Sequence, residues 1–500
     1  MNLWEKFYAS FIKNESKPAF YIGGKFYTYH EFKQYISGSQ QLLQKNCGGL
    51  TGIPVGVVCH DSIETFAAIF AIWFSGCHFV PLHPLHPALV NANKIKQSGI
   101  ELIFSSECFF CPDDIQLKYI CNKEVMSEDS LMVQKEAERA YILFTSGSTG
   151  KPKGVPISVG NLNAFIEGFL ELYPDLSHED RFLQTYDLTS DAAFTGYLIP
   201  LLLGATVFTI PPDSIKYLSI AKMLGEHHIT WTQFTPSVLN YLRPYFKSIR
   251  FDSLKHSHFG GEALPFDLVS EWAKCVPNSE VSNIYGPTET TITCTIYRAE
   301  IAQHEVKVYN GIISIGKPFK GVKTLITDDM GRVLGDNEKG ELCIGGDQVM
   351  DGYINTVNGD GNSFLFREEN GYNAKYYRSG DLVMRDEQGY LFFCGRIDDQ
   401  LKISGYRIEP AEIEWAVSKV TGGHISKAFG YRTIAGTENI VLFVEKYEGQ
   451  PLMLKEKLRE FLSPALIPSK IISVGKFPLN SNGKVDKSRL FEEYSSQIYE

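Results

Sequence analysis

Residues 145–153 read Thr-Ser-Gly-Ser-Thr-Gly-Lys-Pro-Lys, packing the hydroxyls of Thr145, Ser146, Ser148 and Thr149, the glycines Gly147 and Gly150, and the cations Lys151 and Lys153 into one short stretch. Glycines let main-chain N–H groups come close to a ligand. Hydroxyls donate hydrogen bonds and lysines bring positive charge, so the composition suits an oxyanion such as polyphosphate. An apolar run, residues 141–144, leads into the stretch and reads as a buried strand. A solvated Ser/Gly linker is the plainer alternative; the lysines and the flanking strand argue against it. No Gly-x-x-x-x-Gly-Lys-Ser/Thr pattern occurs here, at Gly316-Lys317 or at Gly483-Lys484, which weakens a kinase or GTPase reading.

Four further polar constellations follow. Residues 283–291, Asn-Ile-Tyr-Gly-Pro-Thr-Glu-Thr-Thr, place the ring of Tyr285, the turn at Gly286, the hydroxyl of Thr288 and the carboxylate of Glu289 just after an apolar strand. The ring suits stacking on a base, the hydroxyl a phosphate and the carboxylate a magnesium ion; an ordinary Gly-Pro turn is the alternative. In residues 377–381 a carboxylate, Asp381, follows a glycine turn and suits the two hydroxyls of a ribose, although most such aspartates cap turns. Residues 395–409 are rich in charge beside Gly405, and residues 478–487 carry Lys484 at an Asn-Gly turn, where a lysine usually faces water.

These groups need a frame. Strand and helix patterns alternate from about residue 25 to 105, and again from 161 to 285, which predicts parallel α/β sheets. Ligands of such sheets sit beyond the carboxyl ends of the strands, where the loop after residue 144 falls. From about residue 314 short strands with turn signals predict an antiparallel β region, and the pattern changes again, to α+β, after residue 397. The expected organisation is a large N-terminal domain over 1–397 and a smaller one over 398–500, with the boundary at Asp398.

A chain of 500 residues with 44% hydrophobic content has ample core. Its net charge of -10 disfavours a nucleic-acid partner. No apolar run is long enough to span a bilayer, and the N-terminus lacks a signal-peptide plan, so the expectation is a cytoplasmic protein with no membrane partner. The ten cysteines are scattered, as reduced core thiols are. Cys108 and Cys111 have metal-pair spacing near Cys121, but no fourth soft ligand is evident.

All five constellations, in this order and at these distances, resemble the adenylate-forming enzymes, specifically the amino-acid adenylation domains of nonribosomal peptide synthetases and the related D-alanine–carrier-protein ligases. The resemblance covers nearly the whole chain. It implies an α/β fold: a large N-terminal domain of two α/β sheets plus a small β-barrel, and a mobile α+β C-terminal domain hinged at Asp398. By match, the loop from Thr145 to Lys153 would hold the β- and γ-phosphates of ATP, and Gly261, Glu262, Tyr285 and Gly286 the adenine. Thr288 would contact the α-phosphate, Glu289 would ligate Mg²⁺, Asp381 would bind the ribose and Arg396 would lie at the nucleotide. Lys484 matches the catalytic lysine of the first half-reaction. Lys402 and Gly405 would lie on the face presented when a carrier protein's phosphopantetheine thiol attacks the adenylate.

The same resemblance places a substrate pocket at Asp191, Ala192, Thr195, Gln233, His258, Gly260, Ile284, Ile292 and Thr293. Asp191 would pair with the α-ammonium of an amino acid; a helix-capping aspartate is the alternative. Thr195, Gln233, His258 and Thr293 would make the pocket polar and fit a small or medium polar side chain. Ser190 departs from the family's usual aromatic residue, and Gly260 from the cysteine usual in D-alanine ligases, so D-alanine is disfavoured. With no carrier or condensation motif, the expectation is a free-standing ligase loading a carrier protein in trans. An acyl-CoA ligase using an amine-free acid is the rival enzyme reading, and a non-catalytic nucleotide-binding protein on the same fold is the rival of another class.

Overall fold

A computed structural model describes residues 1–107, 109, 117–129, 131–135, 137–146, 152–211, 214–299, 305–355, 363–369, 371–398, 400–433, 436–479 and 485–499. Six parallel strands form the centre of the largest sheet, in the order Glu280–Tyr285, His256–Phe259, Trp231–Phe234, Arg181–Gln184, Thr206–Thr209, Pro18–Ile22. Antiparallel strands close both edges: Thr295–Ala299 and Lys317–Pro318 on one side, Lys25–Thr28 on the other. A second sheet has six strands, parallel except for the hairpin of Arg139–Thr145 with Lys153–Ser158.

The helix Ile63–Phe74 is buried on nearly every face, as its unbroken apolar sequence requires. The helix Ala192–Leu203 is equally apolar. Trp73 of the first stacks on Trp4 at 4.5 Å and donates its indole N–H to the Ala140 carbonyl at 2.8 Å. Trp4 belongs to the helix Leu3–Lys13, whose start is fixed by a reciprocal capping box between Asn2 and Glu5.

The antiparallel region is a five-stranded sheet built around the long strand Tyr372–Arg385. Beyond it, Leu401–Ile403 and Tyr406–Ile408 form a hairpin whose two turn residues, Ser404 and Gly405, both have positive φ (52° and 82°). That is the backbone a tight two-residue turn demands, and it is why glycine stands at 405. The last part of the chain packs the helices Pro410–Thr421 and Pro451–Leu458 on a three-stranded sheet. Its two apolar clusters draw only on residues after 400, and those of the preceding part only on residues before 400. No helix among the described residues is long and apolar enough to cross a membrane.

Candidate active site

The carboxyl ends of neighbouring parallel strands converge on one cleft. Asp191 follows the strand ending at Gln184, Gln233 lies near the end of the next, Gly260 and Gly261 follow Phe259, and Tyr285 ends the strand beside them. Thr145 and Ser146 reach the same cleft from the end of the second sheet's hairpin strand. The cleft, about 220 Å³, is walled by residues that include Asp191, Ala192, Gln233, Gly260, Ile284, Ile292 and Thr293, and also Thr145, Ser146, Gly286, Thr288, Asp381, Arg396, Lys402 and Arg407. A second cavity of about 490 Å³ opens beside it, walled by Glu262, Tyr285 and Asp398, and shares Gly261, Ile284, Gly286, Arg396 and Lys402 with the first.

Asp191 occupies the position just before the helix Ala192–Leu203, yet its side chain makes no capping hydrogen bond. It is buried, and its Oδ2 has no hydrogen-bond partner. Burial pushes its pKa up to about 7 against the opposing pull of the Thr288 hydroxyl. An oriented, desolvated carboxylate of this kind is completed by a cation such as an ammonium group.

The polar end is a network of charges. Asp381 is buried and accepts the Tyr285 hydroxyl at 2.6 Å and Arg396 Nη1 at 2.7 Å, with Lys402 Nζ at 3.8 Å. Burial alone would raise its pKa; Lys402 and Arg396 outweigh burial and hold it below the ordinary carboxylate value. Lys402 also lies 5.3 Å from the centre of the Tyr285 ring. Arg396 pairs in addition with Asp398 at 2.6 Å. Glu262 accepts the Ser237 N–H at 2.9 Å and the Gly405 N–H at 3.2 Å, so the hairpin 401–408 is tied onto the wall of the larger cavity.

Glu289 is fully buried, and its carboxylate receives Arg407 Nη1 on both oxygens, at 2.8 and 2.9 Å, and the Tyr353 hydroxyl at 2.6 Å. Burial raises its pKa, and Arg407 and Tyr353 more than reverse the shift. A carboxylate suits magnesium by its hard oxygens, but with Arg407 in place neither oxygen of Glu289 faces open space, so the ion does not fit this arrangement of the hairpin.

Two residues expected in the substrate pocket stand apart from the wall of the cleft. Thr195 is fully buried, and His258, although in register with Gln233, is enclosed by Trp231 at 5.1 Å and Tyr173 at 5.2 Å. Thr195 Oγ1 and both ring nitrogens of His258 are buried without a hydrogen-bond partner, and desolvation keeps the His258 ring neutral. Of the four polar side chains expected in that pocket, Gln233 and Thr293 line the cleft. Gly147, Ser148, Thr149, Gly150, Lys151 and Lys484 lie outside the described residues, as do Cys108 and Cys111.

Arg407, Tyr353 and Ser237 complete the site without having been singled out by sequence. The signal for Arg407 was its place beside Gly405 in the charged run 395–409, and that for Tyr353 its place at the end of the family-like segment 340–353; Ser237 carried none.

A family model described as AMP-binding enzyme matches residues 8–354. Zwittermicin A synthase ZmaJ of Bacillus cereus is 30% identical over 93% of this chain and 89% of its own length. Tyrocidine synthase 3 of Brevibacillus parabrevis is 29% identical over 98% of this chain, which spans 8% of that much longer protein. Among solved structures, the Vibrio cholerae adenylation domain AlmE, determined in complex with glycyl-adenosine-5'-phosphate, matches with a TM-score of 0.85 at 26% identity, over 99% of this chain and 97% of that one. PA1221, an NRPS protein containing adenylation and PCP domains, shares the fold with a TM-score of 0.85 at 24% identity, over 98% of this chain and 84% of that one.

Proposed function

The chain belongs to the AMP-binding enzyme family and is an adenylate-forming ligase of the nonribosomal-peptide-synthetase type, and from that premise we propose that it activates an amino acid as its aminoacyl-adenylate and passes the aminoacyl group to the phosphopantetheine thiol of a separate carrier protein. The observation that carries the amino-acid reading is Asp191: a buried carboxylate with an unpartnered oxygen in the wall of the cleft. An α-ammonium group placed there gains a charge-assisted hydrogen bond and relieves the cost of the desolvated anion. The complex of AlmE with a glycyl-adenylate supports the same reading. A small or medium polar side chain is the reading that Gln233 and Thr293 in the wall of the cleft support.

Each group then has a task. Tyr285 and the backbone at Gly261 flank the adenine in the larger cavity, and Asp381, oriented by Tyr285 and Arg396, accepts the ribose hydroxyls. Asp191 and the pocket wall fix the amino acid so that its carboxylate meets the α-phosphorus, turning an encounter of two anions into a positioned reaction. Thr288, whose hydroxyl lies beside the Asp191 carboxylate in the cleft, donates to the α-phosphate. The attacking carboxylate oxygen forms the bond to phosphorus as the bond to pyrophosphate breaks. Lys484 supplies positive charge to that transition state from the small domain, which turns about Asp398. Lys402, on the hairpin docked at Asp381, serves the transfer to the thiol.

ATP–pyrophosphate exchange screened over amino acids, with Asp191→Ala as the control, tests the reading. Exchange with a small set of amino acids, lost in the variant, is the expected result. Exchange supported only by amine-free acids would replace it with the acyl-CoA ligase reading.

A further inference from the structure

Two residues of the cleft wall, Ile292 and Thr293, belong to a turn that the chain does not adopt freely. Thr291 has φ 58° and ψ 84°, and Ile292 has φ 69°. Both are branched at Cβ, and positive φ is least favourable for such side chains. The Thr293 N–H donates to the Thr291 carbonyl at 2.9 Å, which with the positive φ of Ile292 makes a γ-turn of the rare, strained form. The turn rests directly on the backbone at Gly286, where an added Cβ would stand 2.5 Å from the Ile292 carbonyl oxygen and 2.7 Å from Thr293 Cα. Gln348, which follows the antiparallel strand Lys339–Gly346, holds this turn. Its buried Nε2 lies 3.3, 3.2 and 2.9 Å from the carbonyl oxygens of Thr290, Thr291 and Thr293, so two N–H donors serve three acceptors. The reverse orientation of the amide would set oxygen against oxygen, which fixes its direction. In return the Thr291 hydroxyl donates to the Gln348 carbonyl at 2.6 Å. Strained backbone persists where its surroundings over-determine it, and here one buried amide does so.

We propose that Gln348 is a positioning residue for substrate selection: its amide holds the strained turn, and so fixes how far Ile292 and Thr293 stand into the cleft and which side chain fits beside them. This deepens, and rests on, the reading of the cleft at Asp191 as the amino-acid pocket. Without the amide donors the turn relaxes toward negative φ, and two residues of the wall move with it. A pocket separates similar side chains by small differences in contact, so a wall that shifts loses discrimination before it loses catalysis. The pair Asp381 and Arg396, proposed to serve the nucleotide, lies on two other strands and is spared.

Gln348→Met keeps the length of the side chain and removes its donors, whereas Gln348→Asn keeps the amide and shortens its reach. ATP–pyrophosphate exchange over the proteinogenic amino acids gives, for each form, kcat/KM of the amino acid that wild type uses best and of those differing from it by a single methyl, methylene or hydroxyl group. Their ratio is expected to fall about tenfold in Gln348→Met and by an intermediate factor in Gln348→Asn, with KM for ATP within about twofold of wild type. Thr291→Gly added to Gln348→Met supplies a residue at home at positive φ, and should return the ratio to within about threefold of wild type. An unchanged ratio in Gln348→Met overturns the proposal, as does a KM for ATP that rises by the same factor as KM for the amino acid, or a ratio that Thr291→Gly fails to restore. Amide hydrogen exchange of the peptide covering 288–294 in the free full chain needs no substrate: exchange about tenfold faster in Gln348→Met is expected, and unchanged exchange overturns the clamp. Where Gln348→Met fails to fold, Gln348→Asn carries both comparisons. A wild type that works only with amine-free acids would reject the amino-acid reading, while the same ratio taken over those acids, with the hydrogen exchange, still decides this one.

Discussion

The Tyr285 hydroxyl donates to the Asp381 carboxylate at 2.6 Å, joining the end of a parallel strand to the antiparallel sheet across 96 residues of chain. The bond holds Oδ2 of Asp381 while Arg396 holds Oδ1, and Tyr285 and Asp381 are both buried. Tyr285→Phe keeps the ring and removes only this donor. A hydrogen bond to a charged group contributes about 1.5–3 kcal/mol, so KM for ATP is expected to rise about tenfold with kcat little altered. Steady-state ATP–pyrophosphate exchange measures both, and an unchanged KM would remove Asp381 orientation from nucleotide binding.

Asp191 makes amino-acid binding depend on pH. Burial pushes its pKa to about 7, above the value near 3.9 expected in the unfolded chain. Between pH 4 and 7 the unfolded chain releases the proton first, so this group's contribution to the stability of the free protein is lost as pH rises through that window. An ammonium ligand needs the ionised form. KM for the amino acid should therefore be about tenfold higher at pH 6 than at pH 8, while Asp191→Asn binds weakly and flattens the profile. Thermal shift adds an independent readout: stabilisation by the amino acid is larger at pH 8.

Gly260 is held to glycine by space. A Cβ built there would lie 2.8 Å from Ile284 Cγ1 and 3.0 Å from the Ile284 carbonyl oxygen. The side chain can give way, the backbone oxygen cannot, and Ile284 would be pushed into the cleft that both residues line. Gly260→Ala is expected to cost about 1–3 kcal/mol of stability, as overpacking does, and to raise KM for the amino acid at least tenfold. Denaturant unfolding and the exchange assay read the two effects separately.

The parallel sheets were legible because buried strands such as 53–59 and 280–285 alternate with amphipathic or apolar helices, and that alternation places Asp191, Gln233, Gly260 and Tyr285 at carboxyl ends of strands. The strand Lys153–Ser158 was hidden, since Gly154 and Pro156 read as loop although the segment pairs back on residues 139–145. The helix Leu3–Lys13 also passed unnoticed; its signal is the capping pair Asn2 and Glu5 ahead of Trp4, Phe7 and Phe11. The bond from Arg407 to Glu289 spans 118 residues and depends on how the hairpin docks, which no local pattern encodes. His258 shows the same limit: strand register puts it beside Gln233, and only the folded chain shows the rings of Trp231 and Tyr173 packed against it.

Lys484 provides the sharpest separation of binding from chemistry. The described residues flanking it, Leu479 and Val485, bridge to one another, and Val485 packs in a cluster drawn from residues 431–498. Neither lines the cleft or the larger cavity. The nucleotide contacts proposed for Gly261, Tyr285 and Asp381 thus stand without the lysine, and Lys484→Ala should bind ATP within about twofold of wild type by calorimetry. The transition state is different, because charge builds on the phosphorus as the carboxylate attacks; losing one preorganised electrostatic partner typically costs about 2.7–4 kcal/mol, or roughly 10²–10³ in rate. Exchange is expected to fall by that factor. Undiminished exchange would take Lys484 out of the mechanism, and lost ATP binding would show that it holds the ground state as well.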